Sequence, residues 1–149
     1  AVVGQIPGTT SFRNVARHAV VTDSEILSLR IDESLYFPNA RYIEDRINEA
    51  VAASPTLRHV ILECPAVNTI DTSALESLEA INHRLKDGGI TLHLSEVKGP
   101  VMDRLKRSHF LHELTGKVHL TQYDAVASIN PELARRTQDA ERAPLGAKA

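Results

Sequence analysis

The chain has 149 residues, of which 42% are hydrophobic and 24% are charged, and its formal net charge is -2. These values predict one globular domain with a core of its own, and the balance of charge excludes the broad basic surface that nucleic-acid binding needs, so we expect no nucleic-acid partner. A single cysteine, Cys64, excludes an internal disulfide and fits a reducing compartment, and no apolar run reaches the ~20 residues of a membrane span.

The first 22 residues are expected to form a linker or edge strand that precedes the main domain. Glycine and proline at Gly4, Pro7 and Gly8 interrupt this segment early. Residues 15–21 are predicted to add an edge strand that runs antiparallel to its neighbour. Because the chain begins at Ala1 rather than at methionine, we expect it to be a piece of a longer protein.

A strand and a helix are predicted next. Residues 26–31 alternate between apolar and polar, which is the period of a half-buried strand. Pro38 and Asn39 suit the start of a helix, with Asn39 as its N-cap. Apolar residues then recur on one helical stripe, and the helix is expected to end at Ser54 and Pro55. The stripe consists of Ile43, Ile47, Ala50 and Val51.

The strand and helix pattern then repeats to about residue 131. Residues 60–62 predict an interior strand, and residues 72–87 form the clearest amphipathic helix, which Gly88 and Gly89 end. A third strand over 90–94, a helix that begins at Gly99 and Pro100, and a short strand over 118–120 follow. Asp124 is expected to cap a last brief helix.

Alternating strands and helices with short connections define the fold class. Parallel strands need crossover connections, so we predict an α/β fold with a four- or five-stranded, mixed but mostly parallel sheet and helices mainly on one face. The domain is expected to cover residues 23–131. Residues 132–149 carry charged residues among alanines without an apolar stripe, and they are predicted to be a frayed helix or flexible tail.

The sequence contains none of the common catalytic or metal-binding motifs. It has no phosphate loop, no nucleophile elbow and no zinc-binding histidine pair set four residues apart. His109, His112 and Glu113 lie close in sequence, but the seven histidines are otherwise scattered, and we expect no metal site. Cys64 is interpreted as a small buried residue rather than a nucleophile. The protein is therefore not expected to be an enzyme.

The most informative segment is the junction of the interior strand and the clearest helix, residues 68–75. Ser73 and Glu76 match a capping box, which would give Ser73 a purely structural role. Alternatively, the exposed Ser73 hydroxyl at a helix N-terminus is a phosphorylation site, because the helix dipole favours an added phosphate. Asp71 and Glu76 would repel that charge. Both interpretations remain open from the residues alone.

The same segment, together with residues 57–63, resembles the signature of STAS domains, which occur in bacterial anti-sigma factor antagonists and at the C-terminus of SulP sulfate permeases. The resemblance covers about residues 23–130. It aligns Asp71, Thr72 and Ser73 with the Asp-Ser-Ser of the antagonists, so it implies that Ser73 is the phosphorylated position. Residues 35–40 are similar to the transporter branch rather than the antagonists, and so is the arm formed by residues 4–9, residues 12–15 and His18.

The resemblance implies a regulatory or scaffolding domain at the cytoplasmic face of the inner membrane. The implied partners are the transmembrane domain of the same transporter, a second copy in a homodimer and a carrier protein; no cofactor is expected beyond weak nucleotide binding. Two departures weaken the phosphorylation hypothesis: Ala74 replaces a glycine of the antagonists, and Glu63-Cys64-Pro65 replaces an Asp-led turn. A free-standing anti-sigma factor antagonist is the alternative.

Overall fold

The strands and helices fold into a four-stranded sheet with helices on both faces in the computed structural model, which describes residues 1–141. The strands are β1 (Val3–Gln5), β2 (Phe12–Asn14), β3 (Ile26–Arg30), β4 (His59–Glu63), β5 (Thr91–Ser95) and β6 (Val118–His119). The helices are α1 (Phe37–Ala53), α2 (Thr72–Asp87), α3 (Gly99–Lys106), α4 (Phe110–Glu113), α5 (Gln122–Ile129) and α6 (Pro131–Asp139).

The main sheet has the order β3-β4-β5-β6, and all of its pairings are parallel. Its register places Leu29 beside Leu62, Leu62 beside Leu94, and Leu94 beside Val118. Each connection from one strand to the next contains at least one helix, as parallel pairing requires. The predicted α/β class with a mostly parallel sheet is confirmed.

The two faces of the sheet carry different layers. Because side chains alternate along a strand, Val60 and Leu62 point to one face of β4 and Ile61 points to the other. The first face packs against α1, α2, α3 and α4 in the larger core. The second face packs Ile61 against α5, α6 and the N-terminal strands in a smaller core. Four of the six helices therefore share one face, and the expectation of helices mainly on that face agrees with the structure.

The N-terminal segment differs from the sequence expectation. Residues 15–21 do not form the predicted edge strand; instead β1 and β2 form a separate antiparallel hairpin, and only Val21 bridges back to Gln5. Asn14 explains the difference, because its side chain accepts a hydrogen bond from the Ala16 amide at 2.9 Å and its carbonyl accepts from Arg17 and His18. These bonds turn the chain directly after β2.

The expected tail also needs correction where it begins. Residues 131–139 form helix α6, in which Ala134 and Thr137 are buried. The backbone amide of Gly8 donates to the Thr137 carbonyl at 2.7 Å, so α6 is held against the N-terminal hairpin. Of the two alternatives for the segment from residue 132, a helix forms up to residue 139, and it is docked on the hairpin; residues 142–149 of that prediction lie outside the described part of the chain.

Two predicted helix caps are displaced. Helix α1 begins at Phe37, and Asn39 lies within its first turn, where its side-chain oxygen accepts from the Tyr36 amide at 2.7 Å. Helix α5 is capped by Thr121, whose hydroxyl accepts from the Asp124 amide at 3.0 Å, and not by Asp124 itself. None of the helices between residues 1 and 141 is both long and apolar enough to cross a membrane.

Candidate functional site

The junction between β4 and α2 is held by Asp71 rather than by Ser73. Asp71 has extended backbone angles, and its carboxylate accepts a hydrogen bond from the Ala74 amide at 2.7 Å, so Asp71 is the N-cap of α2. Ser73 lies two residues into the helix with an exposed side chain. The capping-box interpretation, with Ser73 as the cap, is therefore wrong.

The loop that leads into α2 is fixed by backbone hydrogen bonds to the chain after β3. The Leu35 amide donates to the Thr69 carbonyl at 2.9 Å, and the Asp71 amide donates to the Leu35 carbonyl at 3.1 Å. Val67 and Ile70 are buried beneath the loop. The loop therefore presents the side chains of Thr72 and Ser73 to solvent from a rigid support.

Side chains from α3 and from the residue before α1 contact Thr72 and the loop that leads into α2. An Arg104 guanidinium nitrogen donates to the Thr72 hydroxyl at 3.1 Å, and the hydroxyls of Tyr36 and Thr69 lie 3.3 Å apart. Half of the Tyr36 side chain is exposed, at 52%. We name this region the turn surface; it consists of Tyr36, Thr69, Thr72, Ser73 and Arg104.

The turn surface is suited to binding rather than to chemistry. The Ser73 hydroxyl makes no hydrogen bond to any residue between 1 and 141, so it is free to meet a partner or to accept a phosphate from a kinase. Its neighbour Asp71 is engaged in capping the helix, and Arg104 contacts Thr72. Asp71 is not placed as a general base for Ser73, because it is not hydrogen-bonded to the Ser73 hydroxyl.

A buried polar network on the second face is a feature that the sequence did not reveal. The Gln122 side chain donates to the Ser28 hydroxyl at 2.9 Å and accepts from the Ser95 hydroxyl at 2.6 Å. All three side chains are buried, and they tie β3 and β5 to the start of α5. The only sequence signal was a serine on the polar side of two strands that alternate between apolar and polar residues, Ser28 in β3 and Ser95 in β5.

Three of the histidines that are scattered in sequence form a row across β4, β5 and β6. The ring nitrogens His59 Nδ1 and His93 Nε2 lie 3.1 Å apart, and the ring centroids of His93 and His119 are 5.6 Å apart. Burial, together with the nearby His59 and His119, lowers the pKa of His93 to about 4. No group of histidine, cysteine and acidic residues in the described part of the chain could hold a metal ion.

The single cysteine lies in the larger core, as predicted. Cys64 is only 5% exposed, and burial raises the pKa of its thiol to about 12. A thiol with such a pKa has almost no reactive thiolate at neutral pH. Cys64 therefore contributes packing rather than chemistry.

These features define a class of protein: a small α/β domain that presents an exposed turn at the N-terminus of a helix. A profile of the STAS domain family matches residues 17–129, which is most of the chain. The chain belongs to the STAS domain family.

The curated relatives are sulfate transporters. Sulfate transporter 1.3 of Arabidopsis thaliana is 35% identical over 146 residues, which cover 90% of this chain and 22% of the transporter. High affinity sulfate transporter 2 of Stylosanthes hamata is 32% identical with the same coverage. The chain therefore spans about a fifth of the length of the relatives that it matches.

Solved structures share the fold at lower identity. The murine anion transporter solute carrier 26 family member A9 has a TM-score of 0.76 and 15% identity over 89% of this chain and 22% of its own. The STAS domain of a Vibrio cholerae SulP transporter has a TM-score of 0.63 and 17% identity, with 78% and 89% covered. A Thermotoga maritima protein assigned as an anti-sigma factor antagonist also scores 0.63, at 16% identity, with 73% and 90% covered.

Proposed function

We propose that the chain is the cytoplasmic regulatory and scaffolding domain of a SulP-type sulfate or related anion transporter. The observation that carries this proposal is the alignment of 90% of the chain with 22% of a sulfate transporter, which is the relation of a domain to a larger membrane protein. The relatives are transporters and STAS domains rather than enzymes. In this role the chain lies at the inner face of the membrane and performs no reaction itself.

The turn surface is the proposed contact with the transmembrane domain of the same transporter. It combines a half-exposed aromatic ring at Tyr36 with the guanidinium of Arg104 and the free hydroxyl of Ser73. Aromatic and arginine side chains are enriched where proteins bind each other. The hydrogen-bonded support under Thr72 and Ser73 reduces the entropy lost when a partner binds.

A second copy of the chain, a carrier protein and a weakly bound nucleotide are further proposed partners. They rest on family resemblance alone, whereas the contact with the membrane domain also rests on the geometry of the turn surface. No cofactor is needed for the proposed role.

Sulfate uptake by the full-length transporter tests the contact surface. We expect Thr72→Asp and Ser73→Asp to alter uptake, because each places a carboxylate in the proposed contact. Both variants should leave the isolated domain stable, since acidic residues are favourable in the first turn of a helix. Thr56→Asp is the matched control: Thr56 is an exposed threonine just before β4, at the other end of that strand.

Wild-type uptake by both variants, at normal membrane levels, would refute the contact role of the turn surface. Altered uptake by Thr56→Asp to the same extent would show that the effect is not specific to this surface.

The alternative function is a free-standing anti-sigma factor antagonist that is phosphorylated at Ser73. The free Ser73 hydroxyl in the first turn of α2 favours it, because the helix dipole and the nearby Arg104 would attract the phosphate. The two functions predict genes of different length. A transporter gene encodes many apolar spans before this domain, whereas an antagonist gene encodes the domain alone and Ser73→Ala would abolish its response to the kinase.

A further inference from the structure

A cavity of about 500 Å³ opens on the second face, away from the turn surface. It lies at the carboxyl ends of three parallel strands: Arg30 ends β3, Glu63 ends β4, and Glu96 directly follows β5. Arg13 of β2 and Gln122 at the start of α5 complete the polar lining that matters here. Open α/β sheets bind ligands at this end of the strands, and pockets of roughly 300–1,000 Å³ suit small molecules.

Two arginines and two glutamates line the cavity without pairing with each other. Arg30 is engaged by Asp32 at 2.6 Å, and one nitrogen of Arg13 donates to the Phe12 carbonyl at 2.8 Å, which leaves most Arg13 donors free. Within residues 1–141, neither arginine forms an ion pair with Glu63 or Glu96 within 4.0 Å. Positive and negative side chains therefore line the same cavity, and no ion pair between them fills it.

Glu63 is the strongest sign that this space takes a ligand. Its side chain is only 8% exposed, and its Oε1 atom has no hydrogen-bond partner within the described residues. A buried carboxylate oxygen without a partner is costly, so such atoms normally meet a donor. Burial, together with the charge of Glu96, raises the pKa of Glu63 to about 7. A cationic group beside Glu63 would supply the missing hydrogen-bond donor and would favour the ionised form of the carboxyl group.

Glu96 lines the same cavity, and its carboxylate is held by a hydrogen bond. Its backbone lies in the left-handed region at φ 57°, which a non-glycine residue rarely adopts, and its carboxylate accepts from the Gln122 amide at 2.8 Å. This bond leaves the other Glu96 oxygen available. Glu96 therefore adds a fixed negative charge beside Glu63.

We propose that this cavity binds a small zwitterion of the α-amino acid type, with its ammonium group at Glu63 and Glu96 and its carboxylate at Arg13. Asp32 already pairs with Arg30, so Arg13 supplies the free positive charge and the two glutamates supply the negative side. A lone cation would also face Arg13 and a lone anion would also face the glutamates, whereas a zwitterion meets a charge of opposite sign at each end. This proposal does not depend on the function of the turn surface, whose residues are not among those that line the cavity.

Isothermal titration calorimetry of the 149-residue chain tests the proposal. The probes are the common amino acids at millimolar concentration, with acetate and ethylamine as carboxylate-only and amine-only ligands. We expect at least one amino acid to bind, and acetate and ethylamine to bind at least about tenfold more weakly. Glu63 should lose its proton when the ammonium arrives, so titrations at pH 7 in buffers of different ionisation enthalpy should show roughly half a proton released.

Two variants and one control locate the site. Glu63→Gln and Arg13→Gln should each weaken binding at least about tenfold, and Glu63→Gln should also abolish the proton release. Glu113→Gln, an exposed glutamate on α4 at the first face, should bind like the unmodified chain. Circular dichroism checks that each variant is folded, and if one is not, the other decides.

The proposal is overturned if no amino acid binds, if acetate or ethylamine binds as tightly as the amino acid, or if a folded Glu63→Gln or Arg13→Gln variant keeps full affinity. The uptake experiment on Thr72 and Ser73 is unaffected by any of these outcomes.

Discussion

Individual hydrogen bonds at the start of α2 distinguish a residue that stabilises the fold from a residue whose side chain is available to a partner. Asp71 accepts from the Ala74 amide at 2.7 Å, whereas the Ser73 hydroxyl has no partner among residues 1–141. An N-cap satisfies a backbone amide that the helix itself leaves unpaired. Asp71 should therefore matter for stability and Ser73 should not.

We expect Asp71→Ala to lower the free energy of unfolding by about 1 kcal/mol and Ser73→Ala to change it by less than about 0.5 kcal/mol. Urea unfolding of the two variants and the unmodified chain measures the difference. A larger loss in Ser73→Ala than in Asp71→Ala would mean that serine is the cap after all.

Two buried residues on the second face change the free energy of unfolding in opposite directions as the pH changes. Burial lowers the pKa of His93 from 6.5 to about 4, so the stability that the fold gains from neutral His93 is present above pH 6.5 and is lost as the pH falls towards 4. Burial raises the pKa of Glu63 from 4.5 to about 7, so the stability that the fold gains from protonated Glu63 is present below pH 4.5 and is lost as the pH rises towards 7. The two effects offset each other in the unmodified chain.

Removing either group should expose the other. Burial also lowers the pKa values of His59 and His119, which remain in both variants, so each variant is compared with the unmodified chain. Between pH 7 and pH 4.5, acidification should cost the His93→Gln variant less stability than the unmodified chain and the Glu63→Gln variant more, each by on the order of 1–3 kcal/mol. Urea unfolding across this pH range measures the three slopes. The opposite order of slopes would contradict the pKa assignments.

Among the secondary-structure elements, α6 shows how a helix can dock without an apolar stripe. Its buried residues, Ala134 and Thr137, are small, and its attachment is largely polar. The Gln5 side chain donates to the Ala134 carbonyl at 3.2 Å, and the Gly8 amide donates to the Thr137 carbonyl. Helix α6 therefore stabilises the N-terminal hairpin as well as the second face.

A chain that ends at Pro131 should be less stable than a chain that ends at Glu141, which retains α6. The shorter chain lacks Ala134 and Thr137, so Gly8 loses its acceptor and the Gln5 side chain loses one of its two acceptors. We therefore expect its melting temperature to be lower by about 5 °C or more. Thermal unfolding followed by circular dichroism compares the two chains. Equal melting temperatures would show that α6 contributes nothing to the fold.

The same elements show what local sequence patterns can and cannot predict. The helical stripes of α1 and α2 were sufficient to place those helices, because periodicity is a property of neighbouring residues. Local patterns did not place the helix caps correctly. Asn39, Ser73 and Asp124 are each the second or third residue of their helix, and which residue caps a helix depends on backbone angles. The docking of α6 was not predicted, because its contacts are to residues more than a hundred positions away.

For the whole molecule, β4 joins the two cores. Ile61 lies in the smaller core and Leu62 in the larger one, and both are fully buried although they are neighbours in the chain. A displacement of β4 therefore disturbs both faces. The two cores should unfold together rather than as separate units.

Ile61→Ala and Leu62→Ala test this coupling. Each should cost about 2–5 kcal/mol through the cavity that it creates, and each should leave a single unfolding transition. Far-ultraviolet circular dichroism and tyrosine fluorescence should give coincident curves. A second transition in Ile61→Ala alone would show that the smaller core, with α5 and α6, unfolds independently.

At this scale the sequence predicted the α/β topology, the family resemblance and the exposure of Thr72 and Ser73. It did not predict the histidine row, the Ser28–Gln122–Ser95 network or the cavity at Glu63. Each of these brings together residues from at least three elements, as far apart in the chain as Arg13 and Gln122, so only the complete chain path reveals them. Local patterns thus indicate the fold and a turn but not the second face.

The margins of the main sheet limit how two copies can associate. The outer side of β3 is occupied, because Val2 bridges to Leu29 in antiparallel fashion and the Arg30 amide donates to the Ala1 carbonyl at 2.7 Å. The opposite margin, β6, is only two residues long. Covered and very short outer strands prevent β-strand addition and the aggregation that it seeds. A homodimer of this domain would consequently form through side-chain surfaces, and its interface would not continue the sheet from one protomer into the next.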